Sequence, residues 1–95
     1  MALRQVLLTY KDANASLFGG RLSVPQLRWT SSSMIWGAWR GSERILELSL
    51  RLLERPWGEL VEVLKHEMAH QFVEEVELGA DKEGRWHRQG KRRTQ

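Results

Sequence analysis

Two rhythms of apolar side chains alternate along this chain and divide it into helix, sheet and helix. From Leu3 to Phe18, the positions Leu3, Val6, Leu7, Tyr10, Asn14, Leu17 and Phe18 fall at helical spacing, with Asn14 the one polar member. That period gathers them on one face of a turning backbone and predicts an amphipathic helix. Gly19-Gly20 is the expected stop, as glycine is at a helix C-terminus. After Pro25 the signals become those of strands. Leu27-Arg28-Trp29-Thr30, Ile35 to Arg40 and Ile45 to Ser49 read as three short strands. Ser31-Ser32-Ser33 and Gly41-Ser42 supply the turns, short enough for an antiparallel meander. Leu50 to Glu54 fits a single helical turn.

The helical rhythm returns after Pro56, whose missing N–H costs nothing in a first turn. Val61, Leu64, Met68, Phe72 and Val76 repeat at spacings of three and four, predicting a core stripe on a long helix from Trp57 to Leu78. Gly79 is a natural stop, Ala80 to Gly84 reads as a polar loop, and Arg85 to Gln95 as a short basic tail. There is no internal repeat, low-complexity stretch or linker. The expectation is one α+β domain over residues 1–95: an N-terminal helix, a three-stranded antiparallel sheet, a long second helix and a basic end.

Composition narrows the function more than the fold. The chain has 95 residues, 41% of them hydrophobic and 28% charged, as in one small soluble domain. It has no cysteine, which excludes disulfides, thiol catalysis and cysteine-based zinc ribbons. Apolar runs are far too short for a membrane span. Arg4, Gln5, Tyr10, Lys11 and Asp12 interrupt the N-terminal apolar stretch, which does not read as a signal peptide. The expected location is cytoplasmic, with no membrane partner. The net charge of +3 conceals a separation: eight of the twelve acidic residues lie between Glu59 and Glu83, and Lys82, Arg85, Arg88, Lys91, Arg92 and Arg93 crowd the end. A basic tail of this kind can bind nucleic acid through phosphate contacts. Arg85, Arg88, Lys91, Arg92 and Arg93 are the candidate DNA-binding residues.

The candidate chemistry lies in His66-Glu67-Met68-Ala69-His70, inside the second helical period. Histidines four apart project from one helix face, one turn above the other, and can share a tetrahedral zinc ion. Glu67 lies about 100° round the helix from His66, too far to be a ligand of the same kind. It can instead take a proton from a water that zinc has acidified and pass it to a leaving amine. This is the physical content of the HExxH pattern. A third ligand must come from beyond Gly79, since Glu74 and Glu77 lie about 12 and 16 Å further along the helix axis. Asp81, Glu83 and His87 are the candidates. His87 is preferred, because neutral imidazole is a good zinc ligand, and Glu83 is the alternative.

From Met1 to His87 the chain resembles an SprT-like domain, the metalloprotease domain of the Spartan group of DNA–protein crosslink proteases. The resemblance is carried by order as well as motif. Leu17-Phe18-Gly19-Gly20-Arg21-Leu22 precedes Leu27-Arg28-Trp29, then Ile45-Leu46-Glu47-Leu48-Ser49 and Leu52-Leu53. Leu60-Val61-Glu62-Val63-Leu64-Lys65-His66-Glu67-Met68-Ala69-His70 and Asp81-Lys82-Glu83-Gly84 follow. It implies a compact zincin-like fold, with helices packed on a three-stranded antiparallel sheet and one catalytic zinc ion in a cleft at the HExxH helix. It implies proteolysis of DNA-associated proteins. More loosely, the chain is similar to the minimal gluzincins, whose third ligand is glutamate.

Five tryptophans are many for this length. Trp36 and Trp39, three apart on one strand, face opposite ways, so one can pack on the helices while the other lines the cleft. Trp86 adjoins the preferred third ligand. The function expected is a zinc-dependent endopeptidase acting on protein or peptide substrates. Two alternatives share the motif: a non-catalytic module whose zinc staples the tail and whose basic end binds DNA, and a latent peptidase whose Arg85–Gln95 tail covers the cleft.

Overall fold

The structure, a computed structural model, describes residues 3–78. Helix α1 (Leu3–Leu17) leads to strands β1 (Gln26–Thr30), β2 (Gly37–Arg40) and β3 (Ile45–Ser49), then a 3₁₀ turn (Leu50–Glu54). Helix α2 (Trp57–Phe72) follows and continues as a π-helical turn (Val73–Glu77). The element types are those of the apolar rhythm, and the second strand starts two residues later than expected.

The close of α1 is built by Asn14. Its side chain donates to the Leu22 carbonyl (3.0 Å) and accepts from the Leu22 N–H (3.1 Å), pinning the incoming chain. Its carbonyl accepts from Gly20 (2.8 Å). Gly19 and Gly20 have φ of 65° and 71°, the left-handed region that a side chain disfavours. Leu22 thereby enters the core beside Val6 and Tyr10 of α1.

The sheet corrects the expected antiparallel meander. Its order is β1-β3-β2, with β1 parallel and β2 antiparallel to β3, so the three-stranded sheet is mixed. Burial decides the order. All five residues of β3 are buried, as suits a central strand, whereas β1 and β2 carry the exposed arginines of the edges. Glu47, 5% exposed, needs partners, and the central place supplies them from both sides. Arg28 of β1 binds one carboxylate oxygen at 2.5 Å and Arg40 of β2 the other at 2.9 Å. Burial pulls the Glu47 carboxyl up, but the hydrogen bonds and charges of the two guanidiniums outweigh it and hold it below the usual carboxylate range. In a meander β2 would lie between Arg28 and Glu47.

The inner face of the sheet, with Leu46, Leu48, Leu27, Trp29 and Trp39, packs against the helices. From α2 the buried side chains are Leu60, Leu64, Glu67, Met68 and Gln71, a stripe that begins one residue before the expected start at Val61, which is half-buried. Phe72 packs on Phe18, ring centroids 5.4 Å apart, and ties the ends of the two helices together.

A buried polar network crosses this core. The Tyr10 hydroxyl donates to Gln71 Oε1 (2.8 Å), and Gln71 Nε2 donates to the Ser23 carbonyl (2.7 Å) and to Glu75 (3.1 Å). Arg44 pairs with Glu75 and also donates to the Ser23 carbonyl (3.0 Å). Arg44 is the one non-glycine residue with positive φ, 54°, among the described residues. That conformation costs about 1 kcal/mol or more and is held by these bonds.

Candidate metal centre

The site is set by where α2 turns its sides. Leu60, Leu64, Met68 and Gln71 face the core, and His66 and His70 emerge on the flank. Glu67 stands at the boundary between the two faces, 8% exposed. The helix brings the two imidazoles together as the spacing requires: their Nε2 atoms are 3.3 Å apart and the ring planes are nearly perpendicular, at 81°. Two zinc–nitrogen bonds of about 2.0–2.1 Å meeting at a tetrahedral angle place their nitrogens about 3.3–3.4 Å apart. The separation of the pair matches that of two ligands on one zinc ion. Both side chains are exposed to solvent.

Glycine brings β2 against this helix. A Cβ at Gly37 would lie 2.7 Å from Val63 Cγ1 and 3.2 Å from Glu67 Cγ. At Gly41, just past β2, it would run into the Glu74 carboxylate of the π-helical turn. The bare backbone therefore lets the strand run close beside α2 and wall the site. Two recesses result, one on each side of Glu67. The first, about 730 Å³, lies between Ile35-Trp36-Gly37 and the Glu62, Val63, His66, Glu67 side of the helix. The second, about 440 Å³, is bounded by Trp39, His70, Val73, Glu74 and Leu78 as well as Glu67. Trp39 packs against the core and donates through Nε1 to the Glu74 carboxylate, while Trp36 lines the first recess. Trp36 falls before the start of β2, so the two tryptophans do not share a strand as expected, and each lines one of the two recesses.

The structure places His66, Glu67 and His70 together. No cluster of three or more potential metal-ligating side chains occurs among the described residues. The expected third ligand His87, its alternative Glu83, and the basic residues Arg85, Arg88, Lys91, Arg92 and Arg93 lie outside the described residues. So does Trp86. No helix among the described residues is long and apolar enough to cross a membrane. Two features of the site were not anticipated. Gly37 could have been suspected, since a glycine inside a tryptophan-rich strand often marks close backbone approach. Glu74 had no sequence signal, because its partner Trp39 lies thirty-five residues away.

Comparison with known proteins places the geometry in a family. No curated protein and no solved structure matches the chain. The family model of the SprT-like family does match, over residues 6–92. The matched stretch takes in the sheet, α2 and the paired histidines alike, and the chain belongs to the SprT-like family.

Proposed function

We propose that this protein is a zinc-dependent endopeptidase of the zincin type. The observation that carries the proposal is the 3.3 Å separation of the two Nε2 atoms on α2, with Glu67 beside them between two open recesses. His66 and His70 would hold the ion, together with His87 or, in its place, Glu83. Zinc supplies Lewis acidity, which acidifies water and polarises a peptide carbonyl. Glu67 accepts the proton of the attacking water on a carboxylate oxygen and delivers it to the amine nitrogen as the peptide bond breaks. Its side chain is buried, with Cγ close against the Gly37 backbone, which limits the freedom of the carboxylate.

The substrate binds in extended form. As an edge of the sheet, β2 has an outer row of backbone groups without a strand partner among the described residues. It runs beside α2, so a peptide pairing with that edge crosses in front of the histidines. Membership of the SprT-like family is consistent with metallopeptidase chemistry, and the resemblance of the sequence to the Spartan group favours protein substrates associated with DNA. Arg85, Arg88, Lys91, Arg92 and Arg93 would then provide the phosphate contacts.

The test is Glu67→Gln. This variant should bind zinc like the parent and lose peptidase activity by about 10²–10⁴-fold. Metal analysis and a peptide-cleavage assay on the same preparation decide the matter, and equal turnover by the two proteins would sink the proposal. Loss of zinc in both His66→Ala and His70→Ala completes the assignment.

A further inference from the structure

Four of the five described glycines have a structural reason to be glycine. Gly19 and Gly20 occupy left-handed backbone, and at Gly37 and Gly41 a Cβ would collide with a side chain. Gly58 is different. It lies in the first turn of α2, its φ is not positive, and a Cβ built there meets nothing within 4 Å. In a helix, glycine costs up to about 1 kcal/mol relative to alanine, so the fold alone would favour a side chain. What the absent side chain leaves is space.

That space is part of a groove of about 600 Å³ with Trp36, Leu52, Pro56 and Val63 in its walls. The groove shares Trp36, Glu62 and Val63 with the recess that contains His66 and Glu67, so the two are continuous. Its charged neighbours are mostly engaged with one another. Arg55 makes a two-point contact with Glu59, at 2.7 and 3.2 Å. Arg51 stacks on the Trp36 ring at 4.1 Å and donates to the Ile35 carbonyl and Ser49 Oγ. The groove therefore offers an occupant the hydrocarbon of Leu52, Pro56 and Val63, with Arg51 and Arg55 lying over the Trp36 ring and Glu62 at the junction.

We propose that this groove is a substrate specificity pocket for a large apolar side chain, such as leucine, methionine or phenylalanine. The proposal rests on the peptidase function above. Along the axis of α2, Val63 is about 4.5 Å from His66 and Gly58 about 12 Å. An extended peptide advances about 3.4 Å per residue. The side chain that enters belongs to a residue two or three positions from the bond cleaved. Gly58 keeps the floor open.

Two measurements on the zinc-loaded full chain test this. In the first, a mixed peptide library is digested and the cleaved bonds are mapped by mass spectrometry. The parent should favour leucine, methionine or phenylalanine at one position two or three residues from the bond, by about tenfold over alanine. Gly58→Leu, which fills the groove, should abolish that preference, and Gly58→Ala should keep most of it. Neither variant should unfold at lower temperature than the parent, because each replaces a helical glycine where nothing obstructs a side chain.

The second measurement needs no turnover. Fluorescence anisotropy of labelled leucine-rich and alanine-rich peptides on Glu67→Gln should show about tenfold tighter binding of the former, lost when Gly58→Leu is added. Cleavage with no apolar preference, or a preference that survives Gly58→Leu, overturns the pocket and leaves the peptidase standing. A preference for lysine or arginine also overturns it and makes Glu62 the selecting group. Should the parent cleave nothing while the binding difference holds, the peptidase proposal fails and the groove stands as an apolar peptide site.

Discussion

Tyr10 is fully buried, and its hydroxyl is the donor that Gln71 Oε1 depends on. Burial pushes the Tyr10 phenol up to about 12, with the Gln71 hydrogen bond and the Arg44 charge pulling the other way. The folded pKa lies above the unfolded value near 10, so the contribution to stability is complete below pH 10. As pH rises from 10 towards 12 the unfolded chain ionises first, and stability should fall across that window. Urea midpoints measured at pH 9, 10 and 11 check the sign; a midpoint that holds constant over the series would contradict it. Tyr10→Phe keeps the ring but leaves the Gln71 acceptor without its donor, at an expected cost of about 1–2 kcal/mol. The variant should also lose the alkaline fall, which links the two measurements to one hydroxyl.

At the level of elements, the contact that matters most to the site is β2 against α2. Gly37→Ala puts a Cβ into Val63 and Glu67, and the strand must move off the helix or the side chains must leave their rotamers. Overpacking of this kind costs about 1–3 kcal/mol. The unfolding temperature should drop, and cleavage should fall as well because Glu67 is one of the displaced groups. Unchanged values of both would mean that β2 yields freely. The sequence reading reached this level unevenly. Short-range period was enough for α1, for β3 at its observed bounds and for the phase of His66 and His70, because those depend on neighbours a turn or a pleat away. Strand order was not, because it depends on Arg28 and Arg40 meeting Glu47 across gaps of 19 and 7 residues. The end of α2 escaped for another reason. A π-helical turn over Val73–Glu77 winds more slowly than an α-helix, so azimuths carried forward from His66 drift beyond Phe72. The apolar spacing of Phe72 and Val76 is compatible with either winding. Nothing local marks Glu47 as buried.

Over the whole molecule, a chain of 95 residues builds one modest core, and a bound ion would add appreciably to its stability. Anything that binds only the folded state stabilises it, by about 2.7 kcal/mol when free ligand is a hundred times its dissociation constant. In a domain of this size that corresponds to a rise of about 10–20 °C in the unfolding midpoint. Stripping zinc with a chelator should therefore lower the midpoint by on the order of 10 °C, and restoring zinc should recover it. His66→Ala should melt at the lower temperature with or without added zinc. A chelator-insensitive midpoint in the parent would mean that the ion adds little to folding, and would separate a catalytic role from a structural staple. The mixed sheet has a further bearing on how the molecule comes into being. Both edge strands precede the central one in the chain, and neither pairs with the other. On the ribosome, then, β1 and β2 emerge with no strand to join, and no part of the sheet can form until Ile45–Ser49 has been made and has left the exit tunnel.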